Sequence, residues 1–205
     1  MNYLEIENGI LHIKNNDKKL AVIIDRADQC SIKPKKNYYE MLLRSIIQQQ
    51  LSVTAATSIY KKFLTHFEKK PLPEKILKTP HEVLRSLGLS NAKAKYIKDL
   101  SEKIFNSEIK LNGIGKKQDN EIIEILTKVK GIGVWTVHMF LIFTLGRLNI
   151  LPVGDLGLKR AIMNVYKLKN LPSEKKIIMI SKQNCWEPYN SIACWYLWTS
   201  LELKD

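Results

Sequence analysis

The sequence predicts a mainly α-helical protein built as two helical lobes, and three observations carry that prediction. Apolar residues recur every three or four positions through most of the chain, helix-capping residues stand ahead of several such runs, and strand-like alternation is confined to the start.

Taken in chain order, "LEIENGILHI" (residues 4–13) alternates around Asn8–Gly9 and predicts a β-hairpin extension over residues 1–16. "SIKPKKN" near 31–37 reads as a linker. Ser52 heads a predicted helix through "VTAATSIYKKF", with Val53, Ala56, Tyr60 and Phe63 on one face. In "TPHEVLRSL" Thr79 is the predicted N-cap, Pro80 the first helical residue and Glu82 the partner of a capping box, with Gly88 ending the helix. "NAKAKYIKDLSEKIF" carries Ala94, Ile97, Leu100 and Ile104 at helical spacing. "EIIEILTKVKGIGVWTVHMFLIF" reads as helix, tight turn and helix, with Gly131 and Gly133 in the turn. "GRLNILPVG" near 146–154 is a second linker, Asp155 heads the helix after it, and Ser173 after Pro172 begins another. The two linkers bracket one lobe, about 38–147. The other is made of about 17–37 plus 148–205, with a cleft expected between them.

The chain has 205 residues and a formal charge of 33 − 20 = +13, with 45% apolar residues and a sequence pI near 9.6. That excess of positive charge on a folded surface favours a polyanionic partner. Cys30, Cys185 and Cys194 are too few and too irregularly spaced for a disulfide framework, a zinc site or a four-cysteine iron–sulfur cluster. His12, His66, His81 and His138 form no metal-ligand spacing. The longest uncharged apolar stretch, Val134 to Leu145, is shorter than the roughly 20 residues a bilayer demands. The acidic start does not read as a signal peptide. A soluble, cytoplasmic protein in a reducing compartment is expected.

Two segments carry chemistry. Glycine suits a backbone that must take positive φ or be approached closely, and the N–H groups opening the helix after Gly131–Gly133 attract an anion such as a phosphate. A simple corner between two helices fits the same spacing. Asp155, at the head of its helix, would lie beside N–H groups that can donate to its carboxylate. A plain N-cap fits that position as well, and capping does not exclude catalysis.

The run from Leu126 through Asp155, with G-I-G-V-W-T followed by L-P-V-G-D-L-G, resembles the helix-hairpin-helix base-excision DNA glycosylases, and within them the DNA-3-methyladenine glycosylase II group. The resemblance extends back through "LLRSIIQQQLSVTAA" and "LGLSNAKAKYIKDL" and forward through "CWEPYNSIACWYLW", covering roughly residues 17–200. It implies a hairpin with Gly131, Gly133 and Thr136 on the DNA backbone, Asp155 as the catalytic carboxylate, and a base pocket lined by Trp135, Trp198, Met139 and Tyr189. Trp195 lies nearby in sequence. It implies that the "QQQLS" loop puts Gln49 and Gln50 in the minor groove, with Gln50 as the plug. The carbonyls of Thr127, Val129 and Ile132 would hold a sodium or potassium ion at the hairpin, with no other cofactor and no iron–sulfur cluster.

The resemblance also implies a reaction. Bifunctional members carry a lysine where this chain has Trp135, and an indole cannot form a Schiff base. A monofunctional enzyme is therefore expected, one that flips an alkylated purine such as 3-methyladenine or 7-methylguanine from double-stranded DNA and hydrolyses its N-glycosidic bond. Such a protein would be a nucleoid-associated monomer. The alternatives are a non-catalytic DNA-binding module and a glycosylase for oxidised or mismatched bases. Three positions depart from the family pattern: Gln48 stands where glycine is common, Lys130 replaces a frequent proline, and Asn190 replaces an arginine.

Overall fold

A computed structural model describes residues 3–203, and among them the secondary structure is helical with no strand. Twelve α-helices follow in order: α1 Tyr3–Asn16, α2 Lys18–Arg26, α3 Tyr38–Gln48, α4 Val53–His66, α5 Pro73–Lys78, α6 His81–Ser86, α7 Asn91–Phe105, α8 Asp119–Leu126, α9 Val134–Phe143, α10 Leu156–Val165, α11 Glu174–Gln183 and α12 Asn190–Ser200.

The β-hairpin expected at the start is replaced by α1, while residues 1–2 of that stretch lie outside the described residues. The residues that alternate also fit a period of 3.6, since Ile6, Gly9 and Ile13 are buried while Leu4 and Leu11 are exposed. Gly9 is no turn residue. A Cβ there would lie 2.3 Å from Ile192 Cδ1 and 2.7 Å from Tyr189 Cδ1, so the missing side chain lets α1 close against α12.

Ser52 and Ser173 cap as expected, accepting from the Ala55 and Lys176 N–H groups. Gly88 follows the last turn of α6 at φ +99°. The capping box at Thr79 does not form. Thr79 instead ends α5, its hydroxyl donating to Lys75 O at 2.8 Å, and Pro80 takes the cap position of α6 with no side-chain bond. Val53 is exposed rather than part of the buried face of α4, which Ala56 and Phe63 supply.

The chain divides into two compact units, Lys36–Phe140 and Met1–Lys35 with Leu141–Asp205. In the first, α7 is central, packing against α3, α5 and α6 through Ala94, Ile97 and Leu100. In the second, α12 touches α1, α2 and α10 and is buried nearly all round, including Ile192, Ala193, Cys194 and Leu197. Its lack of a polar face follows from partners on several sides. Asp17 is the polar anchor of this unit. It caps α2 through Oδ1, which accepts from Lys19 and Leu20 N–H, while Oδ2 accepts from Tyr166 O–H and from Trp186 Nε1 at 2.8 Å.

Candidate functional site

Within the unit Lys36–Phe140, the turn between α8 and α9 closes in steps. The Thr127 N–H donates to Ile123 O, Val129 to Leu126 O and Ile132 to Val129 O. Val129 and Ile132 point into the core, which fixes the turn between them. Gly131 has φ +83°, and a Cβ there would come 2.1 Å from Tyr96 Cδ2 on α7. Both reasons for glycine hold at this position. Gly133 differs, because a Cβ there meets nothing within 4 Å. Space is left open at the mouth of α9, where Val134 and Trp135 are about half exposed.

Lys130 explains one departure from the family pattern. Its N–H donates at 2.9 Å to Oδ2 of Asp99, a buried carboxylate on α7 that also takes the Lys103 ammonium at 3.3 Å. A proline has no N–H to give. The chain therefore holds the turn with an ionic hydrogen bond.

The glutamine loop lies beside this turn. Gln49 Nε2 donates to Gly131 O at 2.8 Å, and Gln50, exposed, takes a left-handed φ of +55°. Leu51 and Val53 are exposed next to it. Lys93 Nζ closes the end of α3 by donating to Ile47 O and Gln49 O at 2.8 and 2.6 Å, occupying carbonyls that the helix cannot pair. Burial pushes the Lys93 ammonium below the ordinary lysine range.

The other unit holds Asp155. The turn Leu151–Asp155 folds through Val153 N–H to Leu151 O and Asp155 N–H to Pro152 O, delivering Asp155 to the N-cap of α10. Its Oδ1 accepts from Leu158 N–H at 2.5 Å and from Trp198 Nε1 at 2.8 Å. An N-cap needs only the first of these bonds. The second fixes the carboxylate from α12, and the indole itself stacks tilted against Phe143 at 5.8 Å. Gly157 makes room: a Cβ there would stand 3.2 Å from Asp155 Oδ1 and 3.5 Å from Trp198 Cδ1. Asp155 retains 9% of its surface, and its neighbour Leu156 is half exposed, so the carboxylate sits at the edge of the core. The buried Cys194 thiol nearby is pushed well above its ordinary range, first by burial and then by the Asp155 charge.

The remaining expected residues fall as follows. Trp135 and Met139 stand one turn apart on α9, within the unit Lys36–Phe140. Thr136 is buried, so its side chain belongs to the packing and only its N–H is suited to a phosphate. Tyr189 lies against Gly9 and stacks on His12 at 5.2 Å, under α1. Trp195 packs edge-on against Tyr196. Asn190 is buried in a polar chain, accepting from Ser181 Oγ and donating to Asn149 Oδ1 at 2.6 Å, a task that does not require arginine. Among the described residues no three His, Cys, Asp or Glu groups gather as metal ligands, and no helix is long and apolar enough to cross a membrane. Burial lowers the His138 imidazole below its ordinary range.

Asp99, Lys93, Gly157 and Asp17 were missed in the sequence. Only Gly157 carries a local signal, a glycine in the first turn of a helix, where it costs up to about 1 kcal/mol relative to alanine.

One unit thus carries a hairpin that opens a helix toward solvent, and the other a fixed carboxylate at a helix start. The chain belongs to the HhH-GPD superfamily of base excision DNA repair proteins, whose family model matches residues 43–187. It is 34% identical over 193 residues to an alkylbase DNA glycosidase-like protein of Schizosaccharomyces pombe, covering 91% of this chain and 90% of that one. Its fold is similar to that of the S. pombe 3-methyladenine DNA glycosylase in complex with abasic DNA, at a TM-score of 0.81 and 28% identity, covering 96% and 97% of the two chains. A DNA-3-methyladenine glycosidase from Bacillus halodurans gives a TM-score of 0.80 and 34% identity over 94% and 88%.

Proposed function

We propose that the protein is a monofunctional DNA glycosylase that removes alkylated purines from double-stranded DNA in base excision repair. The observation that carries this reading is the Asp155 carboxylate, fixed at one oxygen by both a helix start and the Trp198 indole. Asp17 carries the same pair of restraints almost fully buried, whereas Asp155 keeps 9% of its surface beside the half-exposed Leu156, where a substrate can meet it.

The substrate's own chemistry explains why one carboxylate suffices. A purine alkylated at N3 or N7 is already cationic, so when its bond to C1′ breaks it takes the electron pair and leaves neutral. No general acid is needed, unlike in glycosidases with neutral leaving groups. Positive charge then develops on the sugar, where Asp155 stabilises it, and a water oxygen bonds to C1′ as its proton passes to Asp155 or to solvent. Trp135 offers no amine for a lyase step. The Trp135 and Trp198 ring faces suit a cationic base, each contact worth ~0.5–2 kcal/mol. Alkylated bases thus fit better than oxidised ones.

For DNA binding, the open space at Gly133 admits a phosphate to the start of α9. The carbonyls of Thr127, Val129 and Ile132 are neutral oxygen donors of the kind a sodium or potassium ion takes. Val129 O already accepts the Ile132 N–H, so it has one lone pair to offer. We propose that the protein acts as a monomer within the cell.

The test is to incubate the protein with methylated genomic DNA and identify released bases by mass. Release of 3-methyladenine by wild type, with a loss of roughly 100-fold or more in Asp155→Asn while DNA binding persists, is expected. Wild-type protein that binds abasic DNA yet frees no base would establish the non-catalytic module instead.

A further inference from the structure

Lys93, Tyr96 and Asp99 stand three residues apart on α7 and form one stripe of its surface. Each reaches a different part of two loops far apart in sequence. Lys93 binds Ile47 O and Gln49 O, the Tyr96 ring lies against Gly131, and Asp99 accepts the Lys130 N–H. A fourth contact joins the loops directly, because Gln49 Nε2 donates to Gly131 O. Helix, glutamine loop and hairpin thereby form a closed circuit, in which neither loop can shift without straining the other.

We propose that Lys93 and Gln49 are positioning residues that lock loop 49–52 to hairpin 130–133, making one DNA-contacting body from two loops. Gln49 is then an internal strut. Gln50, exposed and in the left-handed region, is the side chain left to enter the duplex. The lowered proton affinity of Lys93 accords with an ammonium partly withdrawn from water by burial. The functional consequence rests on the glycosylase reading: an enzyme that extrudes a nucleotide must hold its plug at a fixed distance from its phosphate grip, and prior assembly avoids the cost of ordering both on binding.

Hydrogen exchange of the DNA-free protein tests the coupling without reference to activity. Gln49→Met keeps length and loses the amide, while Lys93→Met keeps the stem and loses the ammonium. Either should accelerate exchange in both 49–53 and 130–134 by about fivefold, the effect of one hydrogen bond of ordinary net strength. Lys93→Arg should restore the wild-type pattern. Affinity for a duplex carrying a tetrahydrofuran abasic-site analogue should fall by about the same factor. If Gln49→Met loosens 49–53 while 130–134 exchange at the wild-type rate, the coupling is wrong. Should Lys93→Met not fold, Gln49→Met decides, since it removes a single surface bond. Wild type without preference for the abasic site would sink the glycosylase reading and leave the exchange result standing.

Discussion

Trp198 holds Asp155 by a 2.8 Å hydrogen bond from Nε1 to Oδ1, and Gly157, with no side chain, leaves room beside both. A methyl group on Gly157 would sit 3.2 Å from that oxygen, tighter than ordinary contact, with the indole edge just behind it. Gly157→Ala sets a gain in helix propensity of up to about 1 kcal/mol against displacement of the carboxylate. Base release is expected to fall by about tenfold or more while thermal stability changes little, since a small misplacement of reacting groups costs far more in rate than in folding. Single-turnover excision beside a thermal melt checks this.

Trp198→Phe separates the indole's ring from its donor. The ring keeps its place against Phe143, while Asp155 Oδ1 loses the indole donor and keeps the Leu158 N–H. Excision should drop by roughly tenfold as the carboxylate gains rotational freedom, with DNA affinity within about threefold of wild type. A fall in affinity with no change in the single-turnover rate would assign Trp198 to binding alone.

Asp17 invites the opposite outcome. It too caps a helix and accepts an indole N–H, yet it is almost fully buried and its carboxylate accepts from four donors. An asparagine there offers one oxygen and sets its own N–H groups against two of them. Asp17→Asn should lower unfolding free energy by about 2–5 kcal/mol in urea while excision per folded molecule stays near wild type.

What was legible in the sequence was local. Ser52 and Ser173 cap helices that begin one residue later, and the glycine hairpin announces itself within a few residues. The need for Gly131 was legible, but its cause, the Tyr96 ring, comes from another helix. Gly9 misled because a glycine admitting a neighbouring helix looks, in sequence, like one making a turn. Lys93 and Asp99 were invisible for a related reason, being ordinary charged residues on a helix until tertiary packing turns them toward carbonyls and an N–H. Asp155 was found by resemblance and position, while its indole partner bond depends on two helices meeting.

The three cysteines should react very unequally. Cys185 is exposed, whereas burial pushes the Cys30 thiol up to about 11, and Cys194 is raised further by burial and by Asp155. The thiolate is the nucleophile, so near neutral pH roughly one Cys30 in a thousand or fewer is reactive even when reached. A chromogenic disulfide reagent at about pH 8 is expected to count one fast thiol per native chain and three in denaturant. Because a raised pKa favours the protonated form, moving toward alkaline pH should speed Cys30 before Cys194.

Asp99 and Lys130 form a pair that can be dissected by a double-mutant cycle. The buried carboxylate takes the Lys130 N–H at 2.9 Å and lies 3.8 Å from the Lys130 ammonium, so Lys130→Pro removes both and leaves the charge to Lys103. Alone it should destabilise by about 1–3 kcal/mol, despite the stiffness proline adds to the turn. With Asp99→Ala already present there is no carboxylate to strand, and the same proline should be neutral or stabilising by up to about 1 kcal/mol. Urea unfolding of the four proteins reads the coupling directly. Equal effects of proline in both backgrounds would mean that the Asp99–Lys130 pair contributes nothing and that the turn's backbone bonds and the Tyr96 and Gln49 contacts hold the hairpin.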